Sequence, residues 1–106
     1  MSEADTQKLI LSYLKRHPLV AWCGRFNSGR KGNIRFSSVD NLPDILGQLK
    51  DGKLLAIEVK NESWKGPKTP HELGQAEFLA CVLDNNGVGL FATSLDDVIE
   101  VMGGTA

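Results

Sequence analysis

The run Asp44-Ile45-Leu46-Gly47-Gln48-Leu49-Lys50-Asp51-Gly52-Lys53-Leu54-Leu55-Ala56-Ile57-Glu58-Val59-Lys60 decides the fold. Residues 53–60 alternate as a strand does. Leu55, Ile57 and Val59 fall on one face, and Leu54, Ala56, Glu58 and Lys60 on the other. Residues 44–49 are the companion strand, and Lys50-Asp51-Gly52 between them is a strong hairpin signal. Register parity then decides which side chains meet. A two-residue Asp51-Gly52 turn pairs Lys50 with Lys53 and sets Asp44 opposite Val59, on the wrong face. A three-residue Lys50-Asp51-Gly52 turn, with Gly52 left-handed, pairs Leu49 with Lys53 and sets Asp44 opposite Glu58. We expect the three-residue turn, or a bulge near Asp44 with the same effect on parity.

That register has a chemical reason behind it. Glu58 and Lys60 lie about 7 Å apart at Cα along one strand face. A carboxylate and an ammonium closing an apolar strand are costly unless they are paired or put to use. Two carboxylates converging on one point suit a hard divalent cation, and Mg²⁺ takes one or two such groups together with water and phosphate. Lys60 beside them can position or help deprotonate an attacking water, or stabilise charge developing on a phosphate.

Beyond Lys60, residues 61–69 read as a loop holding Trp64, Lys65, Gly66, Pro67 and Lys68. Thr69-Pro70-His71-Glu72 opens a helix with a cap, a proline at the first position and a glutamate at the third. Gln75 shares a stripe of that helix with Phe78, Leu79 and Val82 and is expected to face inward. The helix runs to about Asn85 and stops at Asn86-Gly87. Val88 to Ala92 is an apolar strand, and Ser94 caps a last short helix reaching Val101.

Before Asp44, residues 2–17 read as a helix capped by Ser2, with Leu9, Ile10, Tyr13 and Leu14 at helical spacing and Pro18 closing it. Residues 19–26 form a strand, Asn27 to Asn33 a polar loop, and Ile34 to Phe36 a short returning strand. The expected class is α/β: a mixed central sheet flanked by helices in the order α-β-β-β-α-β-α, with the short 34–36 strand as an extra. His17 and His71 are expected to serve the ends of their helices rather than a metal.

The chain has 106 residues, 42% of them hydrophobic and 24% charged, which suits one globular domain spanning 1–106. No apolar run approaches the roughly 20 residues needed to cross a bilayer. The N-terminus is acidic and unlike a secretory signal, and Cys23 and Cys81 form neither a disulfide framework nor a zinc motif, so a cytoplasmic protein with reduced thiols is expected. Lys and Arg number 12 against 13 Asp and Glu, a net charge of −1. The cations are clustered, however. Arg25, Arg30, Lys31 and Arg35 gather around one loop, and Lys65 and Lys68 lie in another. Such patches fit a polyanion on one face, and also an ordinary solvated surface.

Leu42-Pro43-Asp44-Ile45 followed by Ile57-Glu58-Val59-Lys60 resembles the PD-(D/E)XK nuclease signature, with both halves intact. The wider pattern is similar to the VRR-NUC (virus-type replication-repair nuclease) branch, which resembles Holliday-junction resolvases. That branch carries an acidic residue in its first helix, an Arg-x-Asn-x-Gly-like stretch after the first strand, and a glutamine in the helix after the lysine. Here these are Glu3, Arg25-Phe26-Asn27-Ser28-Gly29 and Gln75.

The resemblance implies a restriction-endonuclease-like fold and a metal-dependent DNA endonuclease selective for branched DNA, using Mg²⁺ or Mn²⁺. It implies Asp44 and Glu58 as metal ligands, joined by the carbonyl of Val59, with Lys60 as the catalytic lysine and Gln75 lining the site. Glu3 is implied as a further metal or water contact, although Asp5 and Gln7 compete for that role. It further implies a homodimer, and a stand-alone domain of this kind looks like a phage or prophage product acting in the host cell. Arg25, Arg30 and Lys31 are candidate DNA contacts. Ser28 is either a phosphate contact or a turn serine. Trp64 is either a DNA- or dimer-facing aromatic or a packed one. Val98, Ile99 and Met102 on the last helix, or the loop near Trp64, are candidates for the dimer surface. The competing readings are a nuclease for flaps, nicks or duplex ends, a non-catalytic nucleic-acid-binding or assembly module of the same fold, and an α/β interaction protein unrelated to nucleic acid.

Overall fold

The structure, a computed structural model, describes residues 1–26 and 41–103, together with the backbone of residues 30–31 and 34–35. Helix α1 (Glu3–Arg16) begins where the Ser2 hydroxyl accepts the Asp5 N–H at 3.1 Å. It carries Glu3 and Asp5 in its first turn and Lys15 and Arg16 in its last, as the helix dipole favours. It stops at His17, because the residue before a proline is pushed out of the helical region. His17 is buried there. Its Nδ1 accepts the Leu19 N–H at 3.1 Å, which leaves Nε2 to donate to the Met102 carbonyl at 3.2 Å. The histidine thus ties the ends of two helices, a structural role as expected.

Strand β1 (Val20–Arg25) leads into a small two-stranded sheet of β2 (Arg30–Lys31) and β3 (Ile34–Arg35). Arg30 and Lys31, expected in a loop, therefore lie on a strand paired back onto 34–35. The chain then enters β4 (Ile45–Leu49) and β5 (Leu54–Val59), crosses through α2 (Pro70–Asp84) to β6 (Val88–Ala92), and ends in α3 (Leu95–Met102). The main sheet runs β1-β4-β5-β6, antiparallel except for β5 with β6. That parallel pair needs a crossover, which α2 supplies. The architecture is α/β in the order α-β-β-β-α-β-α, with β2–β3 as an inserted hairpin.

The turn between β4 and β5 has three residues. Leu49 N–H donates to the Lys53 carbonyl at 2.8 Å and Gly52 N–H to the Leu49 carbonyl at 2.9 Å. Gly52 has φ +96°, a conformation that penalises any side chain. The ladder pairs Ile45 with Ile57, Leu46 with Ala56 and Gly47 with Leu55. One step further along the same register, Asp44 stands across from Glu58.

The alternation along β5 divides the molecule into two layers. Leu55, Ile57 and Val59 pack with Ile10, Tyr13 and Leu14 of α1 and with Val98 and Met102 of α3. Ala56 packs on the other face against Leu79 and Val82 of α2. This corrects one expectation. Val98 is fully buried, Met102 nearly so, and Ile99 packs against the same core, so the apolar stripe of the last helix covers its own sheet rather than a second protomer. Among the described residues no helix is long and apolar enough to cross a membrane.

Candidate active site

Asp44 and Glu58 are locked together through the backbone. The Asp44 N–H donates to Glu58 Oε1 at 3.0 Å, and the Val59 N–H donates to Asp44 Oδ2 at 2.9 Å. Each carboxylate is thereby oriented by the other's strand. Pro43, fully buried, fixes the approach to Asp44, and the Phe26 N–H donates to the Asp44 carbonyl at 2.7 Å, tying the end of β1 to the same point. Glu58 is only 5% exposed. Burial, with the Asp44 charge adding to it and Lys60 opposing, pushes its carboxyl up to about 7. Near neutrality Glu58 is thus poised between acid and carboxylate.

Gln75, itself 5% exposed on the inner face of α2, bridges the two charged side chains of β5 and its end. Its Nε2 donates to Glu58 Oε2 at 2.7 Å, and its Oε1 accepts from the Lys60 ammonium at 2.9 Å. An ammonium can only donate and a carboxylate only accept, so the two partners fix which end of the amide faces which. Lys60 Nζ also lies 3.8 Å from Glu58 Oε2 and 3.9 Å from Glu72 Oε2. Asp44, Glu58, Lys60 and Gln75 are therefore one connected cluster, held by β4, β5 and α2.

The cluster opens into a cleft of about 240 Å³ lined by Phe26, Asn41, Leu42 and His71 besides those four residues. Asn41, His71 and Phe26 did not stand out as site residues in the sequence. His71 and Gln75 sit one helical turn apart, so the spacing carried a usable signal. Asn41, at φ +62°, reaches the cleft through a turn that only the fold reveals. Arg25 is exposed and immediately precedes Phe26 in the chain. Ser28 and the side chains of Arg30 and Lys31 lie outside the described residues.

Glu3 is not drawn into the cluster. It is exposed in the first turn of α1, whose core-facing residues pack beneath the opposite sheet face, and no described hydrogen bond or ion pair links it to Asp44 or Glu58. Asp5 is also exposed. Gln7 differs from both, since its Oε1 is buried with no hydrogen-bond partner. Trp64 is packed: its ring lies 4.6 Å from that of Phe91, and its indole N–H donates to Glu72 Oε2 at 2.8 Å.

A divalent cation fits this donor set in one way only. Among the described residues no group of three or more His, Cys, Asp or Glu side chains gathers to enclose a metal. Two convergent carboxylates instead suit an ion that keeps several waters and shares a phosphate, the habit of Mg²⁺. Val59 would add its backbone carbonyl from the same strand end. The chain matches no family model, no curated protein and no solved structure.

Proposed function

We propose that the protein is a Mg²⁺-dependent DNA endonuclease that hydrolyses phosphodiester bonds at the cleft between β4, β5 and α2, with branched DNA as its preferred substrate. The observation that carries the reading is the reciprocal locking of Asp44 and Glu58 with Lys60 alongside, bridged by Gln75. An ordinary surface ion pair has no need of a buried glutamate or of an amide bridge to hold it.

When bound, the cation would activate water and neutralise charge on the phosphate. Asp44 and Glu58 would hold it, and Glu58 would give up its proton to do so. Lys60, a donor already flanked by acceptors, is suited to bind a phosphate oxygen and stabilise the charge that grows as water adds to phosphorus. In the balanced reaction the attacking water gives one proton to solvent as its oxygen bonds to phosphorus, the P–O bond to the leaving sugar breaks, and the leaving oxygen takes a proton from solvent. Gln75 would hold Lys60 and Glu58 in their mutual orientation. The cations Arg25, Arg30 and Lys31 would contact the DNA backbone, and a homodimer would present two such sites to a junction.

The test is incubation of labelled four-way junction, flap and linear duplex DNA with Mg²⁺, Mn²⁺ or EDTA, alongside Lys60→Ala. The expected result is cation-dependent cutting, strongest on the junction and lost in Lys60→Ala. Cutting that survives the loss of Lys60 rejects the mechanism, and binding without cutting favours a nucleic-acid-binding module.

A further inference from the structure

Glu72 has an evident local role. Its side chain accepts the Thr69 N–H at 3.2 Å while the Thr69 hydroxyl accepts the Glu72 N–H at 3.1 Å, a complete capping box at the start of α2. That role uses only Oε1, which also takes the Lys68 N–H at 3.0 Å. The second oxygen is employed elsewhere. Oε2 accepts the Trp64 indole at 2.8 Å and lies 3.9 Å from Lys60 Nζ. Trp64 is braced in turn by Phe91, which pairs across the β5–β6 ladder with Glu58, and its ring lies 5.9 Å from Lys60 Nζ.

We propose that Glu72 is a positioning residue, held rigid by the Lys68, Thr69 and Trp64 donors, that fixes the Lys60 ammonium over the Asp44–Glu58 pair. Gln75 grips the ammonium from one side, and Glu72 with the Trp64 ring fixes it from another. A lysine side chain has several freely rotating bonds, so one hydrogen bond leaves it a range of positions. Two further contacts from separate elements, α2 and the 61–69 loop, remove that freedom before substrate arrives. The inference rests on the nuclease reading for its catalytic consequence, but the geometry it asserts can be measured without DNA.

The informative variant is Glu72→Gln. Glutamine is compatible with a capping box, and its amide oxygen can keep the Thr69 and Lys68 bonds. Its amide nitrogen then faces the Trp64 N–H and the Lys60 ammonium, donor against donor. Two readouts are compared in wild type, Glu72→Gln and Trp64→Phe: ¹⁵N relaxation of the Lys60 side-chain ammonium by NMR, and kcat and KM for junction cleavage in Mg²⁺. The expected result is a more mobile Lys60 ammonium in both variants, with kcat about tenfold lower in Glu72→Gln and KM little changed. An unaltered Lys60 ammonium in both variants overturns the proposal, whatever happens to melting temperature or KM. If Glu72→Gln does not fold, Trp64→Phe, which keeps an aromatic ring beside Phe91 and removes the indole donor, decides it by the same NMR readout. Absence of cleavage by wild type defeats the nuclease reading and leaves the Lys60 measurement to stand by itself.

Discussion

Glu58 carries the sharpest consequence at the level of single residues. Its folded-state value of about 7 lies above the ordinary 4.5, so the folded chain keeps a proton that the unfolded chain releases. The resulting contribution to stability is fully present below about pH 4.5 and is lost as pH rises through about 7. Melting curves recorded in EDTA should show wild type losing ground to Glu58→Ala between about pH 5 and about pH 8. Added Mg²⁺ should reverse that trend, since the cation takes the place of the proton and stabilises the folded state increasingly above neutrality. A wild-type advantage independent of pH would contradict the placement of Glu58. Glu72 has the opposite sign. The Lys68 N–H first, then the Trp64 indole and the Thr69 N–H, pull it down to about 2, so its contribution is present above 4.5 and lost only as pH falls through about 2.

Elements explain how these residues come to meet. The β4–β5 turn sets the parity, and Gly52 at φ +96° is the residue that permits a three-residue turn. Gly52→Ala places a side chain in a left-handed conformation at a cost of about 1–2 kcal/mol. It should lower the urea midpoint while the register, and with it cleavage by the folded fraction, survives. Much of the site was legible at this scale. The three-residue Lys50-Asp51-Gly52 turn and the alternation of residues 53–60 indicated which face Asp44, Glu58 and Lys60 share, and the helical stripe turned Gln75 inward. The double use of Glu72 was not legible, because a capping box explains its presence from sequence alone. Its second oxygen finds Trp64 and Lys60 only once α2 and the 61–69 loop are packed. Asn41 escaped notice for a similar reason: its approach to the cleft depends on a positive φ that no periodicity announces.

Across the whole molecule, the sheet separates the larger apolar core from the polar cluster. Its α1–α3 face buries Ile10, Leu14, Leu55, Ile57, Val59 and Val98, each at most 1% exposed, while the α2 face carries the polar cluster. Ile57→Ala should therefore cost about 2–5 kcal/mol of folding stability in denaturant titration. Because Ile57 points away from Glu58, the cleavage rate per folded molecule should hold. A rate loss beyond the loss of folded protein would mean that the two faces are coupled. The α/β order was readable from alternating strand and helix signals. The fate of the last helix was not, since an apolar stripe looks the same from sequence whether it covers its own sheet or a partner.

On the proposed reading, Asp44 and Glu58 form one cation site that serves phosphodiester hydrolysis. The most direct test of that reading is strand scission of a labelled four-way junction by wild type and Asp44→Asn, each in Mg²⁺ and in EDTA. Cutting by wild type in Mg²⁺ alone, lost in EDTA and in Asp44→Asn, is the predicted result. Cutting that persists in EDTA or in Asp44→Asn, or no cutting by wild type under any condition, would contradict it.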